Sequence, residues 1–128
     1  MSSQTPPPFA SPIELYRALK SMWSAETASP SNGWTSQVPA RNHCSVTSLI
    51  VQDYFGGDIV SSQTTCGTHF YNLIKGQRWD LTISQFAEPI PFADNLSTRE
   101  APMNDTTAEK YEKLAEKIPA CPVPDSPA

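Results

Sequence analysis

Cys44, His69 and Asp80 are the residues whose types and placement could do chemistry, and that chemistry is attack by sulfur on an acyl carbon. Asn42 reads as the N-cap of a helix that runs through Cys44, Val46, Leu49, Ile50, Val51, Tyr54 and Phe55 and is stopped by Gly56-Gly57. Cys44 then falls in the first helical turn, where unpaired backbone N–H groups and the helix dipole stabilise an anion. Sulfur so placed is more readily present as thiolate. The same N–H groups can receive the oxyanion that forms on an attacked carbonyl. A cysteine alone at a helix start is more often core filler than nucleophile, so the histidine and the carboxylate carry the reading further.

They come from the clearest hairpin in the chain: residues 69–74, the loop Lys75-Gly76, and residues 77–82. A two-residue loop sets Tyr71 opposite Asp80 and His69 opposite Thr82. Directly opposed and alternate residues share a face, so His69 and Asp80 become diagonal neighbours within reach of a hydrogen bond. That face is expected to cover the start of the Cys44 helix, giving nucleophile, base and orienter. A slip of one residue would separate the pair. Zinc is the competing chemistry, with Cys66, His69, His43 and Cys44 as ligands. Adjacent His43-Cys44 chelates poorly, and Asp80 would be left without a role, so no metal and no cofactor are expected. Cys121, in a proline-rich end, reads as incidental.

The elements that must position these residues follow from pattern and composition. Of 13 prolines, four lie in residues 1–12 and four in residues 119–128. Residues 1–10 and 119–128 therefore read as disordered tails around one domain over 11–118. Ser11-Pro12-Ile13-Glu14 reads as a capping box that opens a first helix, with Leu15, Tyr16, Leu19, Met22 and Trp23 as its buried stripe. Residues 24–40 read as a long loop anchored by Trp34, strand territory begins at Asp58, and residues 87–104 read as irregular. Thr106-x-x-Glu109 opens a last helix with Tyr111, Leu114, Ala115 and Ile118 inward. His43 reads as a partly exposed loop residue. The fold class is α+β: a central Cys-bearing helix packed on a small antiparallel sheet and flanked by two helices.

A chain of 128 residues and 14.0 kDa has material for one core. Nine Lys+Arg against thirteen Asp+Glu give a net charge of −4, which counts against nucleic acid or an anionic membrane surface as partner. No apolar run approaches the ~20 residues of a membrane span, and the residues after Met1 lack a signal-peptide pattern. The expected setting is the cytoplasm, where thiols stay reduced.

Trp23-Ser24-x-Glu26-Thr27, Pro39-Ala40-x-x-x-Cys44-x-Val46-Thr47-x-Leu49-x-Val51-Gln52-Asp53-Tyr54-x-Gly56-Gly57, His69-Phe70-Tyr71-Asn72, Gly76, Asp80-Leu81-Thr82, Gln85-Phe86 and Thr107…Tyr111…Leu114 together resemble the YunG-like family of small bacterial proteins. The resemblance covers residues 13–118. The pattern of Cys helix, His strand and Asp strand also looks like the core of transglutaminase-like and papain-like cysteine enzymes. That likeness implies Cys44 as nucleophile, His69 as base and Asp80 as the residue that fixes the imidazole. The family pattern has Gly-Gln before the cysteine, with the Gln helping an oxyanion hole. Asn42-His43 stand there in this chain, and the resemblance implies His43 as the auxiliary donor. The expected function is hydrolysis or transfer at an amide or thioester, on a small acyl substrate or a partner protein. The alternative is a catalytically silent binding or regulatory domain that retains the same core.

Overall fold

The computed structural model describes residues 9–118. The proline-rich segments lie outside these residues except for Phe9 and Ala10, as does Cys121. The elements in order are α1 (Pro12–Lys20), α2 (Cys44–Phe55), β1 (Asp58–Thr64), β2 (Gly67–Ile74), β3 (Gln77–Trp79), a single 3-10 turn (Ile83–Gln85), β4 (Asn95–Ser97), α3 (Glu100–Asp105) and α4 (Ala108–Lys117). The class is α+β, as expected.

Helix α2 is central because apolar residues occupy more than one of its sides. Seven consecutive residues, Ser45–Val51, are buried. One side meets α1, α4 and the loop between α1 and α2: Val46, Ile50 and Val51 pack with Leu15, Leu19, Trp23, Leu114 and Ile118. The other side meets the sheet through Leu49, which packs with Ile59 and Phe70. Burying each of these large aliphatic side chains contributes about 2 kcal/mol.

The sheet is antiparallel with strand order β3-β2-β1-β4. The β2–β3 register pairs Asn72 with Trp79, Leu73 with Arg78 and Ile74 with Gln77, which is the pairing that the Lys75-Gly76 loop requires. Both loop residues have positive φ, 51° and 79°, as a type I′ turn demands. The ladder stops at Trp79, so β3 is shorter than the pattern suggests. The flank of β2 at His69 and Tyr71 meets the segment after β3 instead.

Four expectations are corrected. Ser11 precedes α1, but its side chain makes no cap; Glu14 accepts instead from the Ala10 N–H at 3.0 Å. The residue before α2 is His43, and Asn42 lies one position earlier with φ 62°. The last helix is capped by Thr107, whose hydroxyl accepts from the Lys110 N–H, and not by Thr106. Residues 87–104 are not wholly irregular, because β4 lies within them and α3 begins there. β4 forms on the free edge of β1. Trp34 does anchor its loop, donating through Nε1 to the Pro39 carbonyl at 2.9 Å.

Candidate active site

Strand alternation decides which side chains meet α2. Phe70 packs on Leu49, and Asn72 Nδ2 donates to the Ser48 carbonyl at 3.1 Å, so these two face the helix. His69 and Tyr71 therefore belong to the opposite face, where Phe86 and Phe92 cover them. That face does not pack on the body of α2, but His69 still reaches the helix's first residue. His69 comes beside Cys44 where β3 has ended. There residues 80–85 and the backbone before α2 close over the flank of β2.

His69 is 1% exposed. Its ring stacks on Tyr71 with centroids 5.6 Å apart and stands perpendicular to Phe86 at 4.8 Å. Nε2 donates to Asp80 Oδ2 at 2.6 Å, so the hydrogen bond that the hairpin implies is present, although Asp80 lies one residue beyond the ladder. Nδ1 is buried and has no hydrogen-bond partner. Burial pulls the imidazole pKa down, but the Asp80 carboxylate and the neighbouring Cys44 sulfur outweigh it and raise the value to about 9. Asp80 is held in turn: its Oδ1 accepts from the Thr82 N–H at 3.1 Å and from the Thr82 hydroxyl at 3.3 Å.

Cys44 is the first residue of α2 and half-buried. It packs against the Leu49–Ile59–Phe70 cluster, and its Sγ lies 3.9 Å from Ser45 Oγ. The Ser45 hydroxyl donates to the Asp105 carboxylate at the end of α3, which ties that helix to the first turn of α2. Cys44, His69 and Asp80 thus lie together, brought by α2, by β2 and by the segment that follows β3.

His43 is placed differently from its expectation. It is fully buried, under the Trp23 ring at 5.6 Å. Nδ1 donates to the Arg41 carbonyl at 2.8 Å, and Nε2 meets the Thr27 hydroxyl at 2.8 Å. Both ring nitrogens are taken, which leaves no free N–H to offer an oxyanion at Cys44. Burial holds its pKa down at about 4, so the ring is neutral near pH 7.

Cys66 is exposed in the β1–β2 turn and lines a cleft of about 210 Å³ with Thr64, Phe86 and Pro89. A second cleft, of about 300 Å³, runs past Asp80 between Ile13, Tyr16, Trp79 and Ile83. No group of three His, Cys, Asp or Glu side chains among the described residues is placed to hold a metal ion. No helix among them is long and apolar enough to cross a membrane.

Sequence reasoning missed Thr82 and Gln85 as parts of this site. Gln85 Nε2 donates to Thr82 Oγ1 at 3.1 Å, and its Oε1 accepts from the Asn42 N–H at 3.3 Å. The three-residue step from Thr82 to Gln85 was the available signal; the partner at Asn42, 43 positions away, left none.

A search of solved structures finds no match. The Uncharacterized protein YunG of Bacillus subtilis (strain 168) is 40% identical over 98 residues, covering 77% of this chain and 83% of the relative. The family model described as YunG protein matches residues 11–121, so the fold and the Cys44–His69–Asp80 cluster described above are those of a member of the YunG family.

Proposed function

We propose that this protein carries out cysteine-dependent acyl chemistry through Cys44, His69 and Asp80. The observation that carries the reading is the buried His69: Asp80 holds one ring nitrogen at 2.6 Å, the other has no partner, and the Cys44 sulfur is near enough to favour the imidazolium. Cys44 sulfur attacks the carbonyl carbon of an amide or thioester. The tetrahedral oxyanion meets the first-turn N–H groups of α2. Protonated His69 then gives its Nδ1 proton to the departing amine or thiol as the C–N or C–S bond breaks, leaving the acyl group on sulfur. His69, now neutral, takes a proton from water or from an acceptor that attacks the acyl carbon and frees Cys44. Asp80 keeps the imidazole oriented and its cation stabilised throughout.

The arrangement resembles the core of papain-like and transglutaminase-like enzymes, and we read it in that sense. The clefts are small, which suits a small acyl donor or a partner protein that supplies part of the site. Free thiols at Cys44 and Cys66 suit a reducing compartment such as the cytoplasm.

The test is intact-mass spectrometry after exposure to a panel of electrophilic acyl probes, followed by peptide mapping with limiting iodoacetamide. The expected result is one acyl adduct on Cys44, absent in Cys44→Ala, and alkylation of Cys44 ahead of Cys66 and Cys121. A second reading, a silent binding domain, is favoured by one observation: Phe86 covers an imidazole that is only 1% exposed. It predicts no adduct, and alkylation of Cys44 no faster than that of Cys66.

A further inference from the structure

A directed chain of hydrogen bonds joins the two halves of the site. It begins at the Asn42 N–H, which donates to Gln85 Oε1 at 3.3 Å. The Gln85 amide donates to Thr82 Oγ1 at 3.1 Å, and the Thr82 hydroxyl donates to Asp80 Oδ1 at 3.3 Å. Asp80 Oδ2 accepts from His69. The Thr82 hydroxyl has one hydrogen, and because it accepts from the amide, that hydrogen is free for the carboxylate. Every dipole in the chain therefore points the same way, toward Asp80, and such alignment strengthens each bond. Thr82 is 1% exposed, so this link runs out of water.

The far end matters as much. Asn42 has φ 62°, a left-handed conformation that asparagine tolerates better than most residues and that its hydrogen bonds hold here. Its side chain is bonded to the Pro30 carbonyl at 3.0 Å, and its backbone N–H is held by Gln85. Asn42 stands two residues before Cys44, so the conformation of this peptide sets where the first turn of α2 presents its sulfur.

We propose that Gln85, acting through Thr82, is a positioning residue that aligns the Cys44 sulfur with His69, since among the described residues it alone binds both the backbone leading to Cys44 and the support of Asp80. This rests on the reading of Cys44 and His69 as a reacting pair.

The experiment compares Gln85→Ala, Thr82→Val, Thr82→Ser and the double variant Gln85→Ala/Thr82→Val in the full chain. Three quantities are read: the Cys44 alkylation rate against pH, the His69 titration by NMR, and the melting temperature. Gln85→Ala and Thr82→Val should each slow Cys44 alkylation about tenfold, as losing a residue that orients a reactive group does. Thr82→Ser should restore the rate, and the double variant should be no slower than either single one, because both cut one chain. The His69 midpoint should fall measurably below about 9 in Thr82→Val, because Asp80 Oδ1 then keeps only the Thr82 N–H and is held less firmly against Nε2. Unchanged rates and midpoints, additive losses in the double variant, or a loss tracking the melting temperature that serine does not recover would each overturn the proposal. If wild-type Cys44 alkylates no faster than Cys66, the reading of the reacting pair fails. The Gln85 link is then decided by the His69 midpoint alone, where unchanged values in Gln85→Ala and Thr82→Val overturn it.

Discussion

At the scale of single residues, His69 is governed by two opposed effects. Burial disfavours its cation, while the Asp80 carboxylate at 2.6 Å and the Cys44 sulfur favour it, and the latter win. Asp80→Asn tests this balance because it keeps size and removes charge. The His69 midpoint should drop from about 9 toward 6.5, and Cys44 alkylation should slow by at least about tenfold, with the fold retained. NMR titration and labelling rates measure the two. A large loss of melting temperature with unchanged labelling would make Asp80 a structural partner only. The His69–Asp80 contact was legible in the sequence because a two-residue loop fixes register by arithmetic alone. His43 was not, since its partners Thr27 and Trp23 arrive from a loop with no periodic pattern. Nor was Gln85, whose link to Asn42 exists only once the chain has folded.

At the scale of elements, length and burial separate what could be read from what could not. Helix α2 announces itself through a continuous buried run and two stop glycines. β4 has three residues, and its Leu96 is 75% exposed, so no alternation marks it; it exists by pairing with Ile59, Val60 and Ser61. α3 has six residues with only Pro102 buried and carries no apolar stripe. Register, by contrast, is guarded at two turns. Gly57 has φ 78°, and a Cβ there would stand 2.4 Å from the Leu73 carbonyl oxygen on the neighbouring strand. Gly76 has a similar φ of 79° but open space around it. Gly76→Ala should therefore cost about 1 kcal/mol for backbone strain, and Gly57→Ala about 3 kcal/mol because a backbone clash is added. Urea unfolding of the two variants compares them, and equal losses would mean that the β1–β2 contact relaxes freely around Gly57.

At the scale of the whole molecule, the two buried histidines pull stability in opposite directions with pH. The folded pKa of His69, about 9, lies above its ordinary 6.5, so the folded chain holds that proton more tightly than the unfolded one. The stability this contributes is complete below pH 6.5 and is lost as pH rises to 9. The folded pKa of His43, about 4, lies below 6.5, and here the unfolded chain takes the proton first. Its stabilising effect is complete above pH 6.5 and is lost as pH falls to 4. Asp94, which Arg78 holds below the usual carboxylate range, extends the acid loss to lower pH. The unfolding free energy should therefore peak near pH 6.5 and decline on both sides, each histidine accounting for a few kcal/mol at most. Urea melts from pH 4 to pH 9.5 measure the curve. The alkaline decline should flatten in Asp80→Asn, because that variant removes the main partner that raises His69, while the acid decline should persist, because Thr27, Arg41 and Trp23 around His43 are untouched. An alkaline limb that survives unchanged in Asp80→Asn would show that another group sets it and that the His69–Asp80 pair does not couple folding to protonation.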